Sequence, residues 1–324
     1  MRVFIRVLMF VVAISWASPL LAGSLDVGSA FSDPSVRVPM PDKWIKQPVD
    51  RGAVDLNVML DQQMYRVLGP IVQRYAREHK LKIALSDGTC GHSAGALLKK
   101  KADIGAFCCP PRNADRLPGL RFYTIGISPI ALLIHPDNPV ENMSEDQVRK
   151  VFTGAISRWS QLKTVDGKAG PNKPIQQVAR LHCKTRPGHW RLIVDHEDLF
   201  STDLKEVGTI PDMMSVAATN VRAIGHVSAW LVSQAKKDVK SLKVNGISIS
   251  NLDALVDGRY PFYKTFSVTT WEGDSVENPK AKALVKFILE QVELLDEKYF
   301  VVPPSKLRAA GWLFDGNELV GKGL

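Results

Sequence analysis

The chain has 324 residues, of which 45% are hydrophobic. This length exceeds the size at which one hydrophobic core usually stops growing, so we expect two lobes. Lysine and arginine outnumber aspartate and glutamate by 42 to 33, which gives a formal net charge of +9. The basic residues are scattered, however, and no basic stripe with interleaved aromatic residues marks a nucleic-acid-binding surface. We therefore expect no nucleic-acid partner.

The first 22 residues have the pattern of a secretory signal peptide. Arg2 and Arg6 precede a short apolar run that ends in small residues near Ala22. Ser15 and Pro19 interrupt the run, which disfavours a membrane span, although a retained N-terminal anchor is the alternative. No cysteine follows the run, so we expect no lipoprotein anchor. We predict export to the periplasm with cleavage near Ala22, which removes two arginines and lowers the net charge from +9 to +7.

The next segments predict alternating strands and helices. Residues 23–50 are rich in Pro, Ser and Asp and predict an N-terminal extension over the surface. Strand patterns at 54–60 and 81–85 flank a helical pattern, and a glycine-rich turn then opens a second helix. "ADIGAFC" predicts another strand, "RFYTIGISPIALLIHP" one or two more, and Ser144 with Gln147 the capped start of a helix. This alternation predicts an α/β fold with mostly parallel sheets.

Three of the four cysteines lie in predicted strand-to-helix loops. Cys90 is in "SDGTCGHSAG", and Cys108 and Cys109 are in "FCCPPRNAD", while Cys183 lies farther along the chain. Ligands of parallel α/β sheets bind at the carboxyl ends of the strands, where such loops lie. Four cysteines in an exported protein also allow up to two disulfides. The pattern therefore leaves a disulfide and a sulfur-containing ligand site both open.

A collinear set of motifs spans most of the chain from about residue 54 to 313. In this set the sequence resembles the phosphate-binding proteins of bacterial phosphate ABC transporters. The matching pieces are Asn138-Pro139-Val140, Val151-Phe152-Thr153-Gly154, Trp159, the Ala-Asp-Ile strand at Ala102 to Ile104, "RAIGHVS" at Arg222 to Ser228, and "DGRYPFYKTFSV" at Asp257 to Val268, which is similar to the family's Tyr-Pro-x-x-Arg strand.

The resemblance implies a two-lobed periplasmic binding protein of type II. Each lobe would be a mostly parallel sheet flanked by helices, with residues 51–130 plus 230–324 in lobe 1, residues 131–229 in lobe 2 and two crossover strands between them. Such proteins are not enzymes; they capture a small molecule or ion in the cleft and deliver it to a membrane permease or a sensor protein. No GxxxxGK[ST] motif occurs, so an ATPase would be a separate subunit.

The resemblance also assigns candidate ligand-binding residues to four loops. Several hydroxyl-bearing or acidic positions of the family are replaced here, and Cys108 stands where the family has its ligand-binding aspartate. The candidates are Asp61, Gln62 and Gln63 in the first loop, Cys90, His92 and Ser93 in the second, Cys108 in the third, and Arg180, Cys183 and Lys184 in the fourth.

These replacements leave several kinds of site open. Arginine, lysine, serine and backbone N–H groups suit a phosphate-like oxyanion. Thiolates with imidazole suit a soft metal ion, and three sulfurs also suit a trivalent metalloid. A Cys–His pair in an exported thiol-dependent enzyme or redox protein is the alternative from another functional class. No cofactor is certain; the candidate ligands for a soft metal ion are Cys90, Cys108, Cys109, Cys183, His92 and His182, and the same four cysteines are the candidates for disulfides.

Overall fold

The computed structural model describes residues 31–180, 193–194, 197–233, 238–273 and 276–323. Within these ranges, no helix is both long enough and apolar enough to cross a membrane. The predicted signal peptide lies outside the described residues, and so do the candidate site residues His182, Cys183 and Lys184.

Most of the described strands form one nine-stranded sheet. The strands are β1 (Leu56–Asp61), β2 (Ile83–Gly88), β3 (Ile104–Phe107), β4 (Leu120–Ile134), β5 (Asn142–Met143), β6 (Gln176–Arg180), β7 (Lys205–Val207), β8 (Ala223–Ser228), β9 (Lys240–Ser241), β10 (Lys243–Val244), β11 (Tyr263–Trp271), β12 (Leu313–Asp315) and β13 (Glu318–Gly321). The order is β2-β1-β3-β11-β4-β8-β6-β7, and β9 pairs with β4. Two small sheets, β10-β5 and β12-β13, complete the set.

Helices pack on the sheet and follow most of the parallel strands. They are α1 (Asp42–Ile45), α2 (Gln62–Glu78), α3 (Cys90–Leu98), α4 (Glu145–Phe152), α5 (Ile210–Thr219), α6 (Ala229–Ser233), α7 (Leu252–Val256), α8 (Pro279–Val292) and α9 (Pro304–Ala309). The predicted start of α4 is confirmed, because the Ser144 side chain accepts from the Gln147 backbone N–H and the Gln147 side chain accepts from the Ser144 N–H.

Two long strands join the halves of the sheet. In the first half β1 pairs in parallel with β2 and β3, and in the second half β6 pairs in parallel with β7 and β8. Strands β4 and β11 are antiparallel to each other and to their outer neighbours β8 and β3. Separate hydrophobic clusters fill the two halves. The predicted α/β architecture with two crossover strands is thus confirmed, while the exact lobe boundaries stay predictions.

The segment "RFYTIGISPIALLIHP", for which we expected one or two strands, forms a single strand of 15 residues, β4. Gly126 lies in its middle with a φ of +145°, which favours glycine, and a Cβ there would lie 2.5 Å from the Val302 carbonyl oxygen. The neighbouring Ile127 forms an isolated bridge with Val302. The glycine therefore lets β4 continue past the close approach of another chain segment.

Candidate functional site

Three cysteines and one aspartate converge in the first half of the sheet. The Cys90 Sγ lies 3.3 Å from the Cys108 Sγ and 3.8 Å from the Cys109 Sγ, and it donates to the Asp61 Oδ2 at 3.4 Å. All four side chains are at most 1% exposed. We call Cys90, Cys108 and Cys109 the sulfur cluster. A disulfide requires about 2.05 Å between its sulfurs, so these three residues are thiols in the structure.

The ends of two strands and the starts of two helices create this arrangement. Strand β1 ends at Asp61, which caps α2 by accepting the Gln63 backbone N–H at 2.8 Å. Strand β2 leads through Thr89 into α3, whose first residue is Cys90. Strand β3 ends immediately before Cys108, whose backbone N–H donates to the Cys90 Sγ at 3.2 Å. A carboxyl group and a thiol therefore lie at helix N-termini, where the helix dipole favours negative charge.

Burial favours the protonated forms of Asp61 and Cys108. It raises the pKa of Asp61 to about 8, and the neighbouring Cys90 adds to the effect; the Gln63 N–H and the Arg180 charge act in the opposite direction. Burial also raises the pKa of Cys108, with further contributions from the hydrogen bond to Cys90 and from Asp61. A cation that replaces these protons would pair with the ionised carboxylate and thiolate. It would thereby offset the free-energy cost of burying their charges without a partner.

The cluster has the spacing needed to hold one ion. One possible ligand atom from each of Asp61, Cys90 and Cys108 lies within 4.8 Å of the other two. A ligand bound by all three would be held by two sulfurs and one oxygen, and the Cys109 Sγ lies 3.8 Å from the Cys90 Sγ beside them. Sulfur ligands select soft metals over magnesium or calcium.

Some predicted site residues point elsewhere. His92 is exposed and belongs to the cap of α3: its backbone N–H donates to the Thr89 Oγ1, and its Nδ1 accepts from the Thr89 N–H, each at 3.2 Å. The structure therefore does not bring His92 into the sulfur cluster. The Ser93 hydroxyl is buried and donates to the Met59 carbonyl oxygen at 3.4 Å. Gln62 is half-buried at the start of α2.

Two cations accompany the cluster. Arg180 ends β6, is 2% exposed and acts on the pKa of Asp61. Lys264 of β11 is 1% exposed and donates to the Gln63 Oε1 at 3.1 Å. Sequence reasoning named Arg180 but missed Lys264, although Lys264 occupies the arginine position of the Tyr-Pro-x-x-Arg pattern that begins at Tyr260. That correspondence was the available signal.

Comparison with known proteins agrees with this architecture. A profile described as the PBP superfamily domain matches residues 51–292. This chain belongs to the PBP superfamily. The match spans both halves of the sheet and both crossover strands, so the family resemblance based on the sequence motifs is confirmed at the level of this superfamily.

Solved structures of substrate-binding proteins share the fold at low identity. A protein from Clostridium perfringens, assigned as a phosphate ABC transporter substrate-binding protein and solved with bound phosphate, is 19% identical with a TM-score of 0.63, covering 76% of this chain and 99% of that chain. An ABC-type phosphate transport receptor from Vibrio cholerae is 18% identical with a TM-score of 0.59, covering 76% and 100%.

The same fold also occurs in a protein with a different ligand. The regulatory domain of Synechocystis PCC6803 CcmR in complex with 2-PG is 11% identical with a TM-score of 0.50, covering 74% of this chain and 97% of that chain. At these identities the likeness is one of fold, so the ligand of this chain has to be argued from its own side chains.

Proposed function

We propose that this protein is an exported solute-binding protein that captures a small thiophilic solute, either a soft metal ion or a trivalent metalloid, at the sulfur cluster. Membership of the PBP superfamily supports the solute-binding role. A membrane permease with a separate ATPase, or a sensor protein, would receive the solute. The predicted signal peptide supports the periplasm as the compartment.

The observation that carries the proposal is a group of three buried sulfurs in contact through Cys90, whose sulfur also contacts the buried carboxyl group of Asp61. Thiols are weak hydrogen-bond donors, whereas a phosphate site needs many strong donors. Thiolates, in contrast, are strong ligands for soft metals. The sulfur cluster therefore fits a thiophilic solute better than it fits phosphate.

Proton release accompanies capture in this proposal. Each thiol that binds a metal cation loses its proton to solvent, and each thiol that binds a trihydroxy metalloid combines its proton with a departing hydroxide to form water. The bound thiolates carry negative charge in a buried site. Arg180 and Lys264 are both almost fully buried and supply positive charge. Arg180 comes from β6 in the second half, and Lys264 comes from the crossover strand β11.

An oxyanion such as phosphate is the competing solute. Arg180 and the fold shared with phosphate-binding proteins favour it.

Catalysis by a Cys–His pair has less support among the described residues. Burial raises the pKa of Cys108, whereas a nucleophilic cysteine needs a lowered pKa, and the nearby His92 is engaged in a helix cap.

Binding measurements on the reduced, purified protein test the proposal. We expect stoichiometric binding of Cd(II), Zn(II) or arsenite, and a loss of at least about 100-fold in affinity in Cys108→Ser, because even residues outside the direct ligand shell contribute 10- to 100-fold. Ala106→Ser is the matched control, since it also buries a hydroxyl, in the strand β3 that Cys108 directly follows, but removes no sulfur. Tight binding of inorganic phosphate, with no uptake of any thiophilic probe, would contradict the proposal.

A further inference from the structure

The side chain of Gln63 connects the sulfur cluster to the other half of the molecule. Its Nε2 donates to the Cys108 Sγ at 3.2 Å. Its Oε1 accepts from the Ser228 hydroxyl at 2.7 Å, from the Ser228 backbone N–H at 3.3 Å and from the Lys264 Nζ at 3.1 Å. Gln63 is fully buried, so these contacts are shielded from water.

The partners of Gln63 fix the orientation of its amide. A backbone N–H and a lysine ammonium can only donate, so the atom that faces Ser228 and Lys264 must be the carbonyl oxygen. The NH₂ group is therefore the end that faces Cys108. Reversing the amide would place its NH₂ group against the backbone N–H of Ser228 and the ammonium of Lys264, which are also donors.

The three partners belong to different parts of the fold. Cys108 follows β3 in the first half of the sheet, and Ser228 ends β8 in the second half. Lys264 lies on the crossover strand β11, directly opposite Ser128 of β4. Separations of 165 residues to Ser228 and 201 to Lys264 make these contacts long-range in sequence. One amide thus links the cluster, the crossover strands and the second half.

We propose that Gln63 is a positioning residue that couples capture at the sulfur cluster to the approach of the two halves. This inference rests on the proposed function. When Cys108 becomes a thiolate ligand, the N–H···S hydrogen bond becomes charge-assisted and stronger. The amide is then held more firmly, with its oxygen toward Ser228 and Lys264. Capture therefore stabilises the closed arrangement.

The coupling acts in both directions. Separation of the halves would remove the Ser228 donors from the buried Gln63 oxygen and leave the amide less constrained beside Cys108. The open form should then bind the solute more weakly. Linkage requires that closure raises affinity by the same factor by which capture favours closure.

Cd(II) titration of Gln63→Met, with the metal alone as the probe, tests the inference. Methionine is similar in size but makes none of the amide hydrogen bonds. In the unchanged protein we expect Cd(II) to produce sulfur-to-metal charge-transfer absorption and a smaller radius of gyration by X-ray scattering. In Gln63→Met we expect the same absorption, affinity reduced by at least about 10-fold, and little or no compaction. Gln73→Met, on the exposed face of the same helix, is the matched control.

Two further variants test the two ends of the Gln63 amide separately: the NH₂ group that faces Cys108 and the oxygen that faces Ser228 and Lys264. Gln63→Glu keeps acceptors for Ser228 and Lys264 but removes the donor to Cys108, so it should remain compact and bind Cd(II) weakly. Ser228→Ala removes the hydroxyl arm alone and should reduce compaction while the absorption band persists. These variants also serve if Gln63→Met does not fold.

The outcomes distinguish the two proposals. Equal affinity and equal compaction in the unchanged protein and in the Gln63 variants would overturn the coupling role while leaving the thiophilic site intact. No charge-transfer absorption in the unchanged protein would instead reject the thiophilic site, and the coupling role with it.

Discussion

At the scale of single residues, the site depends on burying groups that usually carry charge. Asp61 is the clearest case, because burial raises its pKa to about 8 while the ordinary value lies near 4. The carboxyl group still caps α2, so it contributes a hydrogen bond even when protonated. The same side chain thus stabilises a helix start and holds a proton that a positively charged ligand could replace.

The raised pKa of Asp61 predicts a pH-dependent stability. Between about pH 4 and pH 8 the carboxyl group is ionised in the unfolded chain but protonated in the folded one, so folding takes up a proton. The free energy of unfolding should therefore fall as pH rises through this window, and level off above it. The contribution is on the order of 1 kcal/mol per pH unit.

Asp61→Asn isolates this contribution, because asparagine stays neutral and can still accept the Gln63 N–H. We expect urea unfolding of the reduced protein without ligand to give a stability difference, variant minus unchanged protein, that grows from pH 5 to pH 8. Parallel pH profiles for the two proteins would show that Asp61 is ionised in the fold and that its pKa is not raised.

The structure brings Asp61, Cys90 and Cys108 together but leaves other candidate residues outside. Strand and turn patterns placed the cysteines in loops at strand ends, whereas Asp61 became a candidate through the family resemblance. His92 lies in the same loop as Cys90, but its ring accepts the Thr89 N–H in the cap of α3. Residue type alone does not determine this contact. Lys264 meets Gln63 only through tertiary packing.

At the scale of elements, the N-terminal segment is attached to the first half of the sheet by an aromatic contact. The Lys100 Nζ lies 4.4 Å from the ring centroid of Trp44 and 3.6 Å from that of Trp271. The Trp44 indole N–H also donates to the Leu98 carbonyl oxygen at 2.9 Å. A buried ammonium thus lies against two indole rings, one from α1 and one from β11.

Trp44→Leu should loosen this attachment. We expect a loss of about 1–3 kcal/mol in the free energy of unfolding, from the lost cation–π contact and hydrogen bond, and faster proteolytic cleavage between residues 31 and 50. Trp44→Phe keeps a ring face over Lys100 and should lose less. If both variants match the unchanged protein in chemical denaturation and in proteolysis, the contact does not hold the segment.

Element positions were largely predictable where one local signal dominated. The helical spacing of apolar residues indicated α2, and the Ser144 cap indicated the start of α4. The continuity of β4 was not predictable, because it depends on the approach of Val302 to Gly126 from a distant part of the chain. Two crossover strands were expected only through the family resemblance, which did not identify them as β4 and β11.

At the scale of the whole molecule, the sulfur cluster lies in one half while a positive charge and a hydrogen-bonding partner come from the other half and from the crossover strand. Arg180 and Ser228 end strands of the second half, and Lys264 lies on β11. The proposed site therefore draws residues from both halves and from a crossover strand. This arrangement suits a protein that closes around its solute and releases it by opening.

X-ray absorption of the reduced, Zn(II)-loaded protein tests the thiophilic site, because it identifies the atoms bound to the metal. We expect a shell containing sulfur at about 2.3 Å, with one sulfur fewer in Cys108→Ser. A shell of nitrogen and oxygen alone, at about 2.0–2.1 Å, would contradict binding by the sulfur cluster.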